Sequence, residues 1–217
     1  MNAEYSAQNI KQVLEKLPGV ESVNEIKVKN KIIEYISIKN KAVGKLTIHR
    51  LNVEDAAPLF EFYFYGLSER SREFFPPYPL FSPPVNSVAE LAERITEWGK
   101  EDDWTVLKLT KDGQIIGVCL LKRFKTERPR SGLAVREEFQ KKELGVLLQT
   151  IVNEQARLLG LRRVYATLAP DNRASLQVHK KCGFKETGRL VPHFVYQNGK
   201  KVIDRHDIEM VLELSHG

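Results

Sequence analysis

One stretch of the chain, residues 133–160 (LAVREEFQKKELGVLLQTIVNEQARLLG), combines residue types suited to anion chemistry. A short apolar run, Leu133-Ala134-Val135, gives way to a basic turn, Gln140-Lys141-Lys142, and a helix opens at about Glu143 and Leu144. A helix start leaves its first backbone N–H groups without intrahelical partners, all aimed at one place. Together with the positive end of the helix dipole, those donors suit a phosphate or pyrophosphate. Lys141 and Lys142 add mobile positive charge beside them. The spacing therefore predicts a site for a phosphate-bearing ligand where the turn meets the helix. Covalent chemistry has less support. Cys119 falls in an apolar strand and Cys182 beside a helix end, and neither has a histidine or basic residue set up as a partner. Two cysteines make neither a disulfide framework nor a metal-ligand spacing, so no metal is expected.

The elements that must position this site are legible from periodicity. Leu144, Leu147, Leu148, Ile151, Val152, Leu158 and Leu159 recur at three- and four-residue steps, giving the helix one apolar face. Upstream, residues 7–17 read as a helix stopped by Pro18-Gly19, and two short apolar alternations follow, split by the Asn30-Lys31 turn. Residues 1–42 are expected to form a small α/β extension, with the main domain at 45–215. That domain begins with a strand at 45–51 and a helix capped by Asn52. Residues 67–84 hold five of the chain's ten prolines and four aromatics, which predicts an irregular loop with neither a helix nor a central strand through it. A helix capped by Ser87 comes next, then a hairpin at 104–124 turning at Asp112-Gly113. Beyond the opening stretch come a strand at 163–168, a helix starting at Asp171 or Asn172, and a closing hairpin with its turn at Asn198-Gly199. The fold class is α/β (α+β), a mixed, mostly antiparallel central sheet flanked by helices. At 217 residues, 42% hydrophobic and 29% charged, the composition is that of a soluble globular protein. No apolar run approaches the roughly 18 residues of a membrane helix, and the polar N-terminus lacks a secretory pattern, so a cytoplasmic protein is expected. A net charge of +6 without a dense basic stripe gives no case for nucleic-acid binding.

Three features of the sequence resemble the GNAT superfamily of N-acetyltransferases. The block LAVREEFQKKELGVLL at 133–148 resembles that family's strand and its Q/R-x-x-G-x-G/A loop leading into a helix. PDNRASLQVHKKCGF at 170–184 resembles its later N-x-x-(A/S) helix ending in G-F, with Asn172 lying thirty-two residues beyond Gln140. The order of elements over about 45–214 agrees as well. The resemblance implies acetyl transfer from acetyl-CoA to an amine. It implies that Leu133, Ala134 and Val135 pair with the pantetheine arm and that Gln140, Lys141, Lys142, Glu143, Leu144, Gly145 and Val146 hold the pyrophosphate. Asn172 and Ser175 would approach the arm, although Asn172 is also an ordinary helix cap.

Two positions depart from the family pattern. Glu143 stands where the loop's first glycine is expected, and its carboxylate repels a pyrophosphate unless the side chain turns outward. His179 stands where the family often has a tyrosine that protonates the departing thiolate; an imidazole titrating near 6.5 can fill that catalytic role. The base that deprotonates the amine stays open among Glu127, Glu137, Glu138, His193, Asp204 and His206, or a water chain. For the acceptor, the resemblance points to the 67–84 loop and the last hairpin, which places Arg70, Arg72, Phe75, Tyr78 and His193 there. The acceptor itself, a small amine or a protein lysine or N-terminus, stays open, as does a homodimer. Two rival readings are a CoA-binding sensor that no longer turns over and an oligomer-forming interaction protein built on the N-terminal extension.

Overall fold

The computed structural model describes residues 6–75, 85–100, 102–197 and 200–214. Helix α1 (Ala7–Leu14) turns Ile10 and Leu14 inward. Strands β1 (Val20–Lys29) and β2 (Ile32–Asn40) are joined by Asn30-Lys31, whose φ values of 51° and 62° give a left-handed two-residue turn that matches strand twist. After β3 (Gly44–Arg50), Asn52 caps a short 3-10 turn that runs into α2 (Ala56–Gly66). Helix α3 (Glu69–Phe74) follows, with the Ser68 hydroxyl accepting from Ser71 N–H. This helix corrects the expectation that none could run through 67–84. The five prolines all lie beyond it, at 76, 77, 79, 83 and 84, so its own residues keep their N–H groups. Helix α4 (Val88–Lys100) leads into β4 (Trp104–Lys111) and β5 (Gln114–Lys122). The remaining elements are β6 (Arg130–Val135), α5 (Leu144–Leu158), β7 (Arg163–Leu168), α6 (Arg173–Lys181), β8 (Lys185–Gln197) and β9 (Lys200–Glu213).

Among the described residues, nine strands join one sheet in the order β1-β2-β3-β4-β5-β6-β7-β9-β8. Every neighbouring pair is antiparallel except β6 and β7, which run parallel and meet at a single register pair, Arg130 with Tyr165. The expected mixed, mostly antiparallel sheet is therefore present. Residues 7–40 supply the first two strands of this same sheet and a helix that packs on α5.

Helices cover both faces. Cys119, Leu121, Val135, Ala166 and Met210 face α5, while Val118, Ala134 and Val106 face α2 and α4. The apolar stripe of α5 is buried as its spacing predicts, but so is its polar side: Gln149, Asn153, Glu154 and Gln155 are at most 4% exposed. The N-terminal elements cause this by lying over that side. Gln155 shows how the contact is satisfied: its Oε1 accepts from Ile33 N–H and its Nε2 donates to Lys31 C=O, both at 2.8 Å. One side chain thus completes the backbone bonding of the β1–β2 corner, where an unmet buried group would cost about 1–3 kcal/mol.

Candidate active site

The gap between β6 and β7 is the centre of the site. Tyr165 N–H bonds Pro129 C=O at 2.8 Å, and beyond this the two strands part. On the other side β6 stays paired with β5, and Arg136 N–H reaches Ile116 C=O at 2.9 Å. Because the bonded side alternates along an antiparallel strand, the backbone groups of Leu133 and Val135 point into the gap. A polar arm laid there meets an unpaired strand edge. The gap opens into a cleft of about 680 Å³ lined by residues of β6, α3, the start of α5 and α6. That size lies within the roughly 300–1,000 Å³ of small-molecule sites.

At one end of the cleft the chain forms an anion cradle. Gln140 is extended, Lys141 and Glu143 adopt left-handed φ values of 59° and 60°, and α5 begins at Leu144. Its first backbone bond runs from Leu147 N–H to Glu143 C=O at 3.1 Å, which leaves the N–H groups of Leu144, Gly145 and Val146 at the open helix end. Such a turn of backbone donors at a helix N-terminus binds phosphate groups. A Cβ on Gly145 would lie 3.0 Å from Val178 Cγ2, so a side chain there would push the Val178 side chain back by a few tenths of an ångström. Glu143 has a left-handed backbone that costs a side-chain-bearing residue about 1–2 kcal/mol. Its carboxylate is held by Lys181 Nζ at 3.0 and 3.3 Å, so a cation that sequence reasoning missed offsets the repulsive charge. Lys141 lines the cleft, whereas Lys142 is not among its lining residues and its ammonium turns to Glu138 C=O (2.9 Å) and the Phe139 ring. The Gln140 side chain donates to Val135 C=O at 3.3 Å, tying the turn to the strand.

Helix α6 forms the opposite wall. Asn172 caps it, accepting from Ser175 N–H at 3.1 Å, and both residues line the cleft. His179 also lines it, but in a state that changes the role expected of it. Its ring is 1% exposed and packs edge-on against Phe184. Nδ1 lies 2.8 Å from Ser175 C=O, and because a carbonyl only accepts, Nδ1 carries the proton. Burial pushes the pKa down to about 4, against a smaller opposing effect of the Ser175 bond. The neutral ring therefore has a bare Nε2, buried without a partner among the described residues. In this state Nε2 accepts hydrogen bonds and has no proton to give a thiolate.

Helix α3 and the turn before α5 are tied together. Glu137 Oε1 accepts from Ser68 N–H (3.2 Å), Ser68 Oγ (2.8 Å) and Ser71 Oγ (2.5 Å). Burial pushes this carboxyl up, but the Ser71 and Ser68 hydrogen bonds outweigh it and hold the group below its ordinary range, a poor setting for a base. Arg136 packs against Gly66 and pairs with Glu61 (3.1 Å) and Glu138 (3.0 Å). Among the expected acceptor residues, Arg70 lines the cleft and bridges it to Asp171. Phe75 lies over Gly132, 3.5 Å from where a Cβ would sit. Arg72 is not among the residues that line the cleft, and its guanidinium donates to Phe64 C=O at 2.7 Å near the end of α2. Tyr78 lies outside the described residues. His193 pairs through Nδ1 with Asp207 at 3.4 Å, and Arg205 joins Asp207 at 2.9 Å while lying 5.9 Å from the Phe74 ring. Burial pushes Asp207 up, but His193 and Arg205 hold it below the usual carboxylate range. The trio is not among the described residues that line the cleft, and its link to it is Arg205, through the Phe74 ring that does line it. A strand with charges at alternate positions, Arg205, Asp207 and Glu209, was the signal available for it.

A sequence description of the acetyltransferase (GNAT) domain matches residues 45–185, more than half of the chain. The chain belongs to the GNAT acetyltransferase family. No curated protein sequence matches it significantly. Among solved structures, it is similar to a GNAT-family acetyltransferase from Streptococcus pneumoniae, at 21% identity and a TM-score of 0.57 over 78% of this chain and 99% of the other. It is also similar to spermidine N-acetyltransferase from Vibrio cholerae in complex with CoA and spermine, at 19% identity and 0.60 over 77% and 95%. A third similar structure is the ribosomal-protein-S5-alanine acetyltransferase from Vibrio fischeri, at 18% identity and 0.61 over 77% and 92%. At these identities the neighbours show that this GNAT chain has the GNAT fold. No helix among the described residues is long and apolar enough to cross a membrane.

Proposed function

We propose that the protein moves the acetyl group of acetyl-CoA to a primary amine by direct attack in a ternary complex. The observation that carries this reading is the β6–β7 gap, whose unpaired strand edge runs directly into the donor-rich start of α5. The cleft's volume of about 680 Å³ and its extent from β6 to the start of α5 suit a ligand with a phosphate end. Acetyl-CoA, when bound, supplies an acetyl group activated as a thioester. Leu133 and Val135 would hold its amide-bearing arm as one strand holds another. The backbone of residues 140–146, with Lys141, would hold the pyrophosphate, and Asn172 and Ser175 would line the arm. A backbone N–H at Val135 would stabilise the oxyanion of the attacked carbonyl.

An ammonium has no lone pair, so the amine must lose a proton before attack. His193, oriented by Asp207, is the group assigned to accept it. With His179 Nε2 bare, water protonates the leaving thiolate, which is a tolerable leaving group near neutral pH. The acceptor is a small amine or a protein lysine or N-terminus; the spermidine and ribosomal-protein enzymes among the similar structures point one to each class. A CoA-binding sensor without turnover is the second reading, favoured by the proton-less Nε2 of His179 and by Glu143 in the cradle. Thiol release from acetyl-CoA over a panel of amines decides between them: amine-dependent release supports the transferase, and saturable CoA binding with no release from any amine supports the sensor.

A further inference from the structure

The face of the sheet that carries α2, α3 and α4 holds two cations for which the acetyl-transfer reading has no use. Lys122 on β5 and Arg130 on β6 are register partners, so their side chains leave the same face side by side. The next pair along that face is Leu120 with Gly132, and Gly132 and Ala134 form part of the cleft under Phe75. Lys122 is 8% exposed, and among the described residues its ammonium meets no carboxylate; its nearest recorded partner is the Trp104 ring, 5.9 Å away. Arg123, Arg128 and Arg189 add further positive charge around Arg130. The acid in this group, Glu209, is already engaged by Arg128 at 2.5 Å and by Thr187 at 3.1 Å.

Burying a cation such as Lys122 without an acid partner is expensive, and the neighbouring charge of Arg130, which is partly buried and feels Glu209, adds repulsion. Burial together with the charges of Arg130 and Arg123 pushes Lys122 down to about 7. A purely structural role does not account for the arrangement, because an apolar residue at either position would pack beside Trp104 and Leu120 without that cost. An anion set between the two side chains would remove it, with the bidentate fork of Arg130 giving direction to the contact.

Resting on the acetyltransferase reading, we propose that Lys122 and Arg130 form an anion-reading subsite on the acceptor side of the cleft, so that the acceptor amine carries a carboxylate or phosphate at its far end. The strand sets the spacing. Arg130 lies three to five residues before Leu133 and Val135, about 10–17 Å along β6, less the reach of the two side chains. A polyamine, cationic along its length, meets repulsion at this position.

The test uses acceptors built on one scaffold: 5-aminopentanoate, 4-aminobutyl phosphate, the neutral 5-aminopentanamide and 1,5-diaminopentane. Binding to the CoA-loaded protein is measured by calorimetry, and kcat/KM by thiol release. The expected result is a preference of about tenfold or more for an anionic acceptor over the amide, equal to about 1.4 kcal/mol. Which anion is preferred, carboxylate or phosphate, identifies the group read. In Lys122→Met and in Arg130→Gln the anionic-to-neutral ratio is expected to fall toward one. Arg130 is only partly buried, so its variant keeps the test available if Lys122→Met fails to fold. A native ratio near one, a preference for the diamine, or a ratio unmoved by either variant overturns the subsite. If no amine releases thiol while the anionic compounds still bind preferentially, the transferase reading fails and the subsite stands.

Discussion

Replacing His179 with phenylalanine separates a proton donor from a buried neutral ring. In the folded chain the imidazole binds a proton only below about 4, whereas in the unfolded chain it does so below its ordinary 6.5. Above 6.5 neither state is protonated and the group contributes its full stabilising difference. As the pH falls from 6.5 toward 4, the unfolded chain takes up a proton that the folded chain refuses, so stability is lost across that window. The shift of about 2.5 pH units at about 1.36 kcal/mol per unit gives roughly 3 kcal/mol lost by pH 4, of which roughly 2 kcal/mol is gone at pH 5. His179 is 1% exposed, so screening by solvent takes little from this figure. Urea unfolding of the native chain and of His179→Phe at pH 7.5, 6 and 5 measures it. The variant should overtake the native chain on acidification, with the difference between them moving by about 2 kcal/mol between pH 7.5 and 5. Turnover of the variant should stay within about threefold, because the ring that was replaced had no proton to donate. Parallel stability curves, or a loss of turnover of a hundredfold with CoA affinity intact, would refute the assigned protonation state.

Other outcomes follow from the same contacts. Glu143→Gly removes a left-handed strain of about 1–2 kcal/mol and a carboxylate from the cradle, so CoA should bind at least about threefold tighter by calorimetry; weaker binding would mean that the Lys181 pair organises the cradle. Gln155→Leu leaves Ile33 N–H and Lys31 C=O without partners, and the urea midpoint should report a loss of about 2–3 kcal/mol. A loss below about 0.5 kcal/mol would show that the N-terminal strands dock on α5 without it. Asp207→Asn takes the anion from behind His193 and should lower kcat about tenfold or more with CoA affinity unchanged; an unaltered kcat removes His193 from the proposed proton path.

The parts of this site that were legible in the sequence are those encoded locally. A basic turn before a helix start, a glycine one residue into it and an Asn-x-x-Ser cap are neighbours in the chain as well as in space, and each lies where its spacing predicts. What could not be read depends on partners distant in sequence. The ion pair of Lys181 with Glu143, the Ser68 and Ser71 clasp on Glu137, and the Asp207 carboxylate behind His193 join elements many residues apart. Arg72 shows the same limit from the other side. Its place in an aromatic, proline-rich segment suggested a ligand contact, but the open carbonyls at the end of α2 claim it first. The polar side of α5 misled for a related reason, since helical periodicity reports one apolar face and cannot say that the N-terminal elements will cover the other.

Calorimetric titration of the full chain with acetyl-CoA and with CoA, alongside Gly145→Val, is the most direct measurement of the central claim. A valine at 145 sets a branched side chain against Val178 and over the donor-rich start of α5. The native chain should bind both ligands saturably and one to one, and a variant that still folds by circular dichroism should bind at least about tenfold more weakly, about 1.4 kcal/mol. Absence of binding to the native chain at millimolar ligand, or equal binding by the folded variant, would contradict that claim.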